Sequence, residues 1–187
     1  MKTQKIVLTA LFSALIIVGA YLRFPLPPVP ITLQTLFVIT AALLGGTSIG
    51  LASVATYLLL GAVGLPVFTT GGGLAALFGP TGGFLFGLLP AALLAGIAGN
   101  YGKKNTGTSN RTYLLLCILF GVLASLAIYL VGVPFLKYNR SLSWATAIKA
   151  GMLPFLIGDT VKLIVAINLA QIFSPRVRKF LDGSDPS

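Results

Sequence analysis

The stretch Pro154-Phe155-Leu156-Ile157-Gly158-Asp159-Thr160-Val161-Lys162 heads an apolar run that continues to Phe173, and it sets a carboxylate and an ammonium inside that run. Asp159 is the only acidic residue before Asp182. On a helix the i, i+3 spacing projects Asp159 and Lys162 from nearly the same face, one turn apart. A charge at the centre of a bilayer costs roughly 2.5–3.5 kcal/mol on insertion scales, so this pair is expected to face a cavity or a partner instead of lipid. Two readings stand side by side. The charges neutralise each other as an internal ion pair, or they anchor a small polar ligand whose donors meet Asp159 and whose carbonyl or carboxylate meets Lys162.

That the run lies in a membrane follows from composition. The 187 residues are 56% hydrophobic and only 9% charged, with a mean hydropathy of +0.98, far outside the soluble norm. The expected class is an all-α integral membrane protein, since helices satisfy their own backbone groups in lipid. The length has room for about six spans of roughly 20 residues with short connections, so residues 1–187 read as a single transmembrane domain. A net charge of +10 does not indicate nucleic acid, because Lys and Arg stand at segment ends instead of forming a face interleaved with aromatics. With no histidine, His-based acid–base chemistry and His-ligated metal are excluded. Cys117 is the only cysteine, which excludes a disulfide framework and suits a small packing residue. No metal or cofactor is expected.

Working outward, Ile6–Leu22 is an apolar run behind Lys2 and Lys5. Val18-Gly19-Ala20 resembles a signal-peptidase site, but the run is as long as the later spans and is read as a retained first helix. Within it Ala10 and Ala14 stand four apart, a spacing that lets another helix come close, either from this subunit or from a partner. Arg23–Pro30 (RFPLPPVP) is a stiff loop, because proline removes amide donors and biases each preceding residue to extended backbone. Ile31–Thr35 opens a second helix, which carries Gln34, ends at Leu44 and is broken by Gly45-Gly46. A buried Gln needs partners, so Gln34 is either glue between helices or a ligand contact.

A third helix covers about Ser48–Val63, and the glycine-rich loop 67–83 follows. A phosphate cradle does not fit there, since no Lys or Arg lies near and no Gly-Lys-Ser/Thr ending occurs. Leu74–Phe78 reads as a short re-entrant or interfacial segment, a kind of backbone tolerated only where protein or a cavity satisfies it. Helix four is expected over Gly83–Asn100 with a kink at Pro90, a polar loop over Gly102–Arg111, and helix five over Thr112–Val131. Trp144, Ile148 and Met152 then recur at i, i+4, i+8 behind Lys137 and Arg140, a stripe suited to an interfacial helix. Helix six begins after Pro154.

Six alternating spans put Lys2, Lys5, Lys103, Lys104, Arg111, Arg176, Arg178 and Lys179 on one side, against Arg23, Lys137, Arg140 and Lys149 on the other. The positive-inside rule therefore predicts cytoplasmic termini, with the Pro- and Gly-rich loops outside and capping a pocket. Asp159 would then lie several ångströms below the outer surface, with Gln34, Thr81 and Phe84 at the adjoining helix ends. A pocket of this kind is mostly apolar with few polar anchors, suited to a small molecule captured from outside. An ion-coupled secondary transporter using Asp159 is the main competing reading, though no inverted repeats support it. An intramembrane enzyme finds one carboxylate and no His-, Ser- or Cys-centred constellation.

Five phrases in order, Pro28-Val-Pro-Ile-Thr-Leu-Gln34, Gly64-Leu-Pro-Val-Phe68, Gly71–Gly73, Gly79-Pro-Thr-Gly-Gly83 and Pro154–Lys162, together resemble BioY, the biotin-specific substrate-binding (S) component of energy-coupling factor (ECF) transporters. The resemblance spans nearly the whole chain. It implies a six-helix subunit in a bacterial plasma membrane that binds biotin near its outer face and works with a transmembrane coupling subunit and two cytoplasmic ATPases. Carried onto matching positions, Asp159 and Lys162 are the polar anchors, Gln34, Thr81 and Phe84 are wall residues, and Ala10 and Ala14 meet the coupling subunit. Many relatives carry Tyr where this chain has Phe84, so ring packing is expected there without a hydroxyl contact.

Overall fold

The computed structural model of the chain describes residues 3–104 and 110–183; Lys2 lies outside them. Its helices are α1 (Thr3–Tyr21), α2 (Gln34–Ala62), the single turn α3 (Leu74–Leu77), α4 (Gly82–Lys104), α5 (Asn110–Asn139), α6 (Trp144–Gly151) and α7 (Leu156–Asp182). A 3-10 turn at Leu153–Phe155 links the last two. The proline run is held between two short strands, β1 (Arg23–Phe24) and β2 (Ile31–Thr32), which pair antiparallel with Arg23 opposite Thr32 and Phe24 opposite Ile31.

Among the described residues, five helices are long and apolar enough to cross a membrane. One of them, α2, is two segments. Gly46 takes φ 71° and ψ −178°, a conformation closed to other residues without strain, and the chain reverses there. A Cβ placed on Gly50 would come within 2.9 Å of the Ala42 α-carbon, whereas eight residues along a straight helix span about 12 Å. Residues 34–45 and 47–62 are therefore antiparallel arms, and all six apolar segments expected from the sequence are helical. The ends agree with an even number of passes, since a Cβ on Gly183 would lie 3.4 Å from Gln4 Nε2 at the start of α1.

Small residues draw the central helices together, as is usual where lipid offers no hydrophobic drive for association. Ala91, Ala92, Ala95 and Ala98 of α4 are fully buried. Cβ atoms on Gly96 and Gly99 would strike Thr47 and the Ala42 carbonyl at 2.5 and 2.4 Å. The Asn100 amide donates to Thr47 Oγ1 at 2.8 Å and so ties α4 to the α2 reversal. α1 is held by Leu8, Phe12 and Ile16 in the core and by Ser13 Oγ, which donates to the Ser53 carbonyl at 3.1 Å. It is an integral part of the packing.

Several boundaries depart from the sequence expectation, among them the end of α4, which runs past Asn100 to Lys104 into the stretch expected as loop. α2 begins at Gln34, not Ile31, because Ile31 and Thr32 are used in the strand pair. α5 does not stop at Val131 but continues through Pro134 to Asn139; Gly132 and Phe135, on either side of the proline, are packed by Phe84 and Gly83 of α4, which hold the helix where one amide donor is missing. α7 runs on past Phe173 and Pro175 to Asp182, carried by Val177 and Leu181 against the core and by a bond of 3.0 Å from Arg178 Nη2 to Ser174 Oγ.

Candidate ligand-binding site

At the membrane end opposite Gln4 and Gly183, the starts of α2, α4 and α7 converge with the middle of α5. They enclose a cavity with about 560 Å³ of empty space, mouth included. Val29 and Pro30 close it from the proline loop and Thr69 from the glycine-rich loop. The two loops are fastened to each other, with Tyr21 Oη donating to the Pro66 carbonyl and Arg23 to the Thr69 carbonyl.

The structure brings the two sequence-predicted anchors, Asp159 and Lys162, and the three predicted wall residues, Gln34, Thr81 and Phe84, to this one cavity. The 3-10 turn at Pro154 ends just ahead of them, so Asp159 sits in the first turn of α7 and Lys162 one turn deeper. Lys162 Nζ meets Asp159 Oδ1 at 2.7 Å and donates to Thr35 Oγ1 of α2 at 3.3 Å. Lys162 is 7% exposed. The other carboxylate oxygen of Asp159 accepts the Tyr129 hydroxyl of α5. One ion pair thus pins α7 to α2 and α5.

This arrangement still has capacity. Each carboxylate oxygen offers two lone-pair sites, and an ammonium has three donors, of which two are engaged here. Gln34 adds more, because its buried Nε2 makes no hydrogen bond of ordinary geometry among the described residues. Such an atom costs roughly 1–3 kcal/mol if left unsatisfied; the Tyr57 hydroxyl lies beside the Gln34 side chain, and the place of Gln34 on the cavity wall also opens it to a polar ligand atom. The apolar side is built by Leu85, Leu88, Ile128 and the Phe84 ring. That ring is seated in α5, where a Cβ on Gly132 would lie 2.3 Å from its Cδ1. Thr81 is buried at the cavity rim, where its carbonyl accepts the amides of Phe84 and Leu85. The cavity can therefore take a molecule with an apolar body and polar groups of both kinds.

Ala10 and Ala14 are elsewhere. Both are exposed on α1, on a face shared with Ile6, Leu11 and Val18, so internal packing does not account for their size. The sequence reading missed Tyr129, Thr35 and Thr69. Tyr129 was the one with a signal, since a tyrosine inside an apolar run needs a partner for its hydroxyl. Thr35 and Thr69 carry no mark that separates them from ordinary membrane threonines.

Residues 1–179 match the BioY family. The chain is 41% identical to a protein of Thermotoga maritima named biotin transporter BioY, over 89% of this chain and 94% of that one. It is 36% identical to a protein of Rhizobium etli with the same name, over 91% of this chain and 93% of the other. The fold matches a crystal structure described as the S-component for biotin from an ECF-type ABC transporter, with a TM-score of 0.77, 30% identity and 91% of each chain covered.

Proposed function

The chain belongs to the BioY family, and on that premise we propose that it is the biotin-binding subunit of an ECF transporter, taking biotin from outside the cell and passing it to an ATP-driven module. The observation that carries this reading is the Asp159–Lys162 pair, withdrawn from solvent where the described residues hold no other buried charge, and turned into the cavity. Biotin presents ureido N–H groups, a ureido carbonyl and a carboxylate on an otherwise apolar frame. Asp159 suits the N–H donors, the remaining Lys162 donor suits an oxygen, and the Phe84 ring and Leu88 suit the frame.

The rest of the reading follows from charge and surface. The end carrying Arg111, Arg176, Arg178 and Lys179 is the cytoplasmic one, so both termini face the cytoplasm of a bacterial cell and the cavity faces out. The chain has no phosphate-binding loop, so the energy comes from two cytoplasmic ATPases through a transmembrane coupling subunit. That subunit docks on the α1 face holding Ala10 and Ala14. The chain is a transport component, not an enzyme.

Calorimetry on the purified protein in detergent, without ATP, tests the function. Biotin should release binding heat while thiamine and riboflavin do not. No heat with biotin, or equal binding of all three vitamins, would overturn the proposal.

A further inference from the structure

A second hollow lies on the lipid-facing side of the bundle, back to back with the cavity. It leaves about 1090 Å³ of empty space, opening included, beside α5 and beneath α6, and Leu126, Ala127, Leu130, Trp144, Ile148 and Met152 line it. Tyr129 borders both hollows. The lining is apolar and turned outward, with Leu130 77% and Trp144 51% exposed. In a bilayer such a groove is filled by hydrocarbon.

The rim decides which lipid supplies it. Lys137 Nζ stands 4.4 Å from the Tyr138 ring centroid and 5.1 Å from that of Trp144, which places an ammonium over the groove's aromatic edge. Arg140 ends the same stretch, and Lys149 follows Ile148 on α6, whose first turn is capped by Ser143. Among the described residues these cations have no carboxylate to balance them. Asp159 is taken by Lys162, and Asp182 closes the opposite end of α7. Trp and Tyr mark the headgroup level of a membrane, and a Lys or Arg near an anionic surface gains on the order of fivefold in affinity per charge. We infer that this groove is a binding site for an anionic glycerophospholipid, with one acyl chain along Leu126 and Leu130 and the headgroup phosphate between Lys137, Arg140 and Lys149.

Trp144 is the chain's single tryptophan, so its fluorescence reports on this site alone and needs no biotin. The protein is placed in nanodiscs of phosphatidylcholine in which one quarter of the lipid carries brominated acyl chains, supplied either as phosphatidylglycerol or as phosphatidylcholine. Brominated phosphatidylglycerol should quench Trp144 with an apparent affinity about fivefold higher for each cation engaged. Lys137→Gln with Arg140→Gln should bring the two lipids together, and Ala127→Phe, which fills the groove, should lower quenching by both. Equal quenching by the two lipids in the unaltered protein would overturn the inference. So would a preference that survives loss of the cations, or quenching that Ala127→Phe leaves unchanged.

Discussion

The cavity at Asp159 and the groove along α5 share Tyr129 as a wall and treat charge in opposite ways. In the cavity Lys162 is buried, Asp159 is half-buried and both are committed: Lys162 to Asp159 and Thr35, Asp159 to Lys162 and Tyr129. On the groove the cations stand at the rim, Lys137 over the Tyr138 and Trp144 rings, with no carboxylate to meet them among the described residues. A membrane protein can keep a charge in its interior only by pairing it, and the geometry of the pairing then fixes what else can enter. At the headgroup level that restriction lapses, and an unpaired cation is free to meet solvent or lipid phosphate. The difference teaches that position relative to the membrane surface, more than residue type, separates an anchor from a rim.

The comparison breaks most sharply when one member of the buried pair is removed. Lys162→Ala or Asp159→Asn leaves the other charge uncompensated. Biotin affinity measured by calorimetry should fall on the order of hundredfold or more, with thermal stability in detergent reduced by roughly 3–5 kcal/mol where the stranded charge stays buried. Trp144 quenching by lipid should be unchanged. Tyr129→Phe is the finer cut, because it deletes the hydroxyl that meets Asp159 while keeping the ring between the two hollows. Loss of a hydrogen bond to a charged group is worth roughly 1.5–3 kcal/mol to the fold, and only part of that reaches the ligand, so biotin should bind about tenfold more weakly, again with lipid quenching intact. Equal effects on both readouts would mean that the hydroxyl, and not only the ring, links the two hollows. The smallest effect on binding belongs to α1. Ala10→Trp and Ala14→Trp should leave biotin affinity within about twofold, since neither residue is packed inside the chain, while ATP-driven uptake by the assembled transporter is lost.

The sequence made one side of this comparison more legible than the other. The pair at Asp159 and Lys162 was visible because an isolated carboxylate in an apolar run has few explanations, and the turn at Gly45-Gly46 because two glycines interrupt a run too long for one span. Both follow from local chemistry. The Trp144, Ile148, Met152 stripe was also legible as periodicity, but not that it roofs a groove, which depends on α5 passing straight through Pro134. Proline usually ends a helix, and only the packing of Gly83 and Phe84 against Phe135 and Gly132 shows why it does not here. Tyr129 was lost for a similar reason. Its neighbours in sequence are apolar, and its partner Asp159 lies on another helix, a relation that no spacing rule encodes.

The central claim is that the buried pair serves a ligand and is not there only to neutralise itself. Replacing both charges by neutral residues of similar shape, Asp159→Asn together with Lys162→Met, separates the two, because a buried ion pair exchanged as a whole often leaves stability unchanged or improved. The measurement is a biotin titration of that double variant by calorimetry, after its unfolding temperature has been found within a few degrees of the unaltered protein. The account predicts a folded protein with no detectable biotin heat. Biotin affinity within about twofold of the original would contradict it.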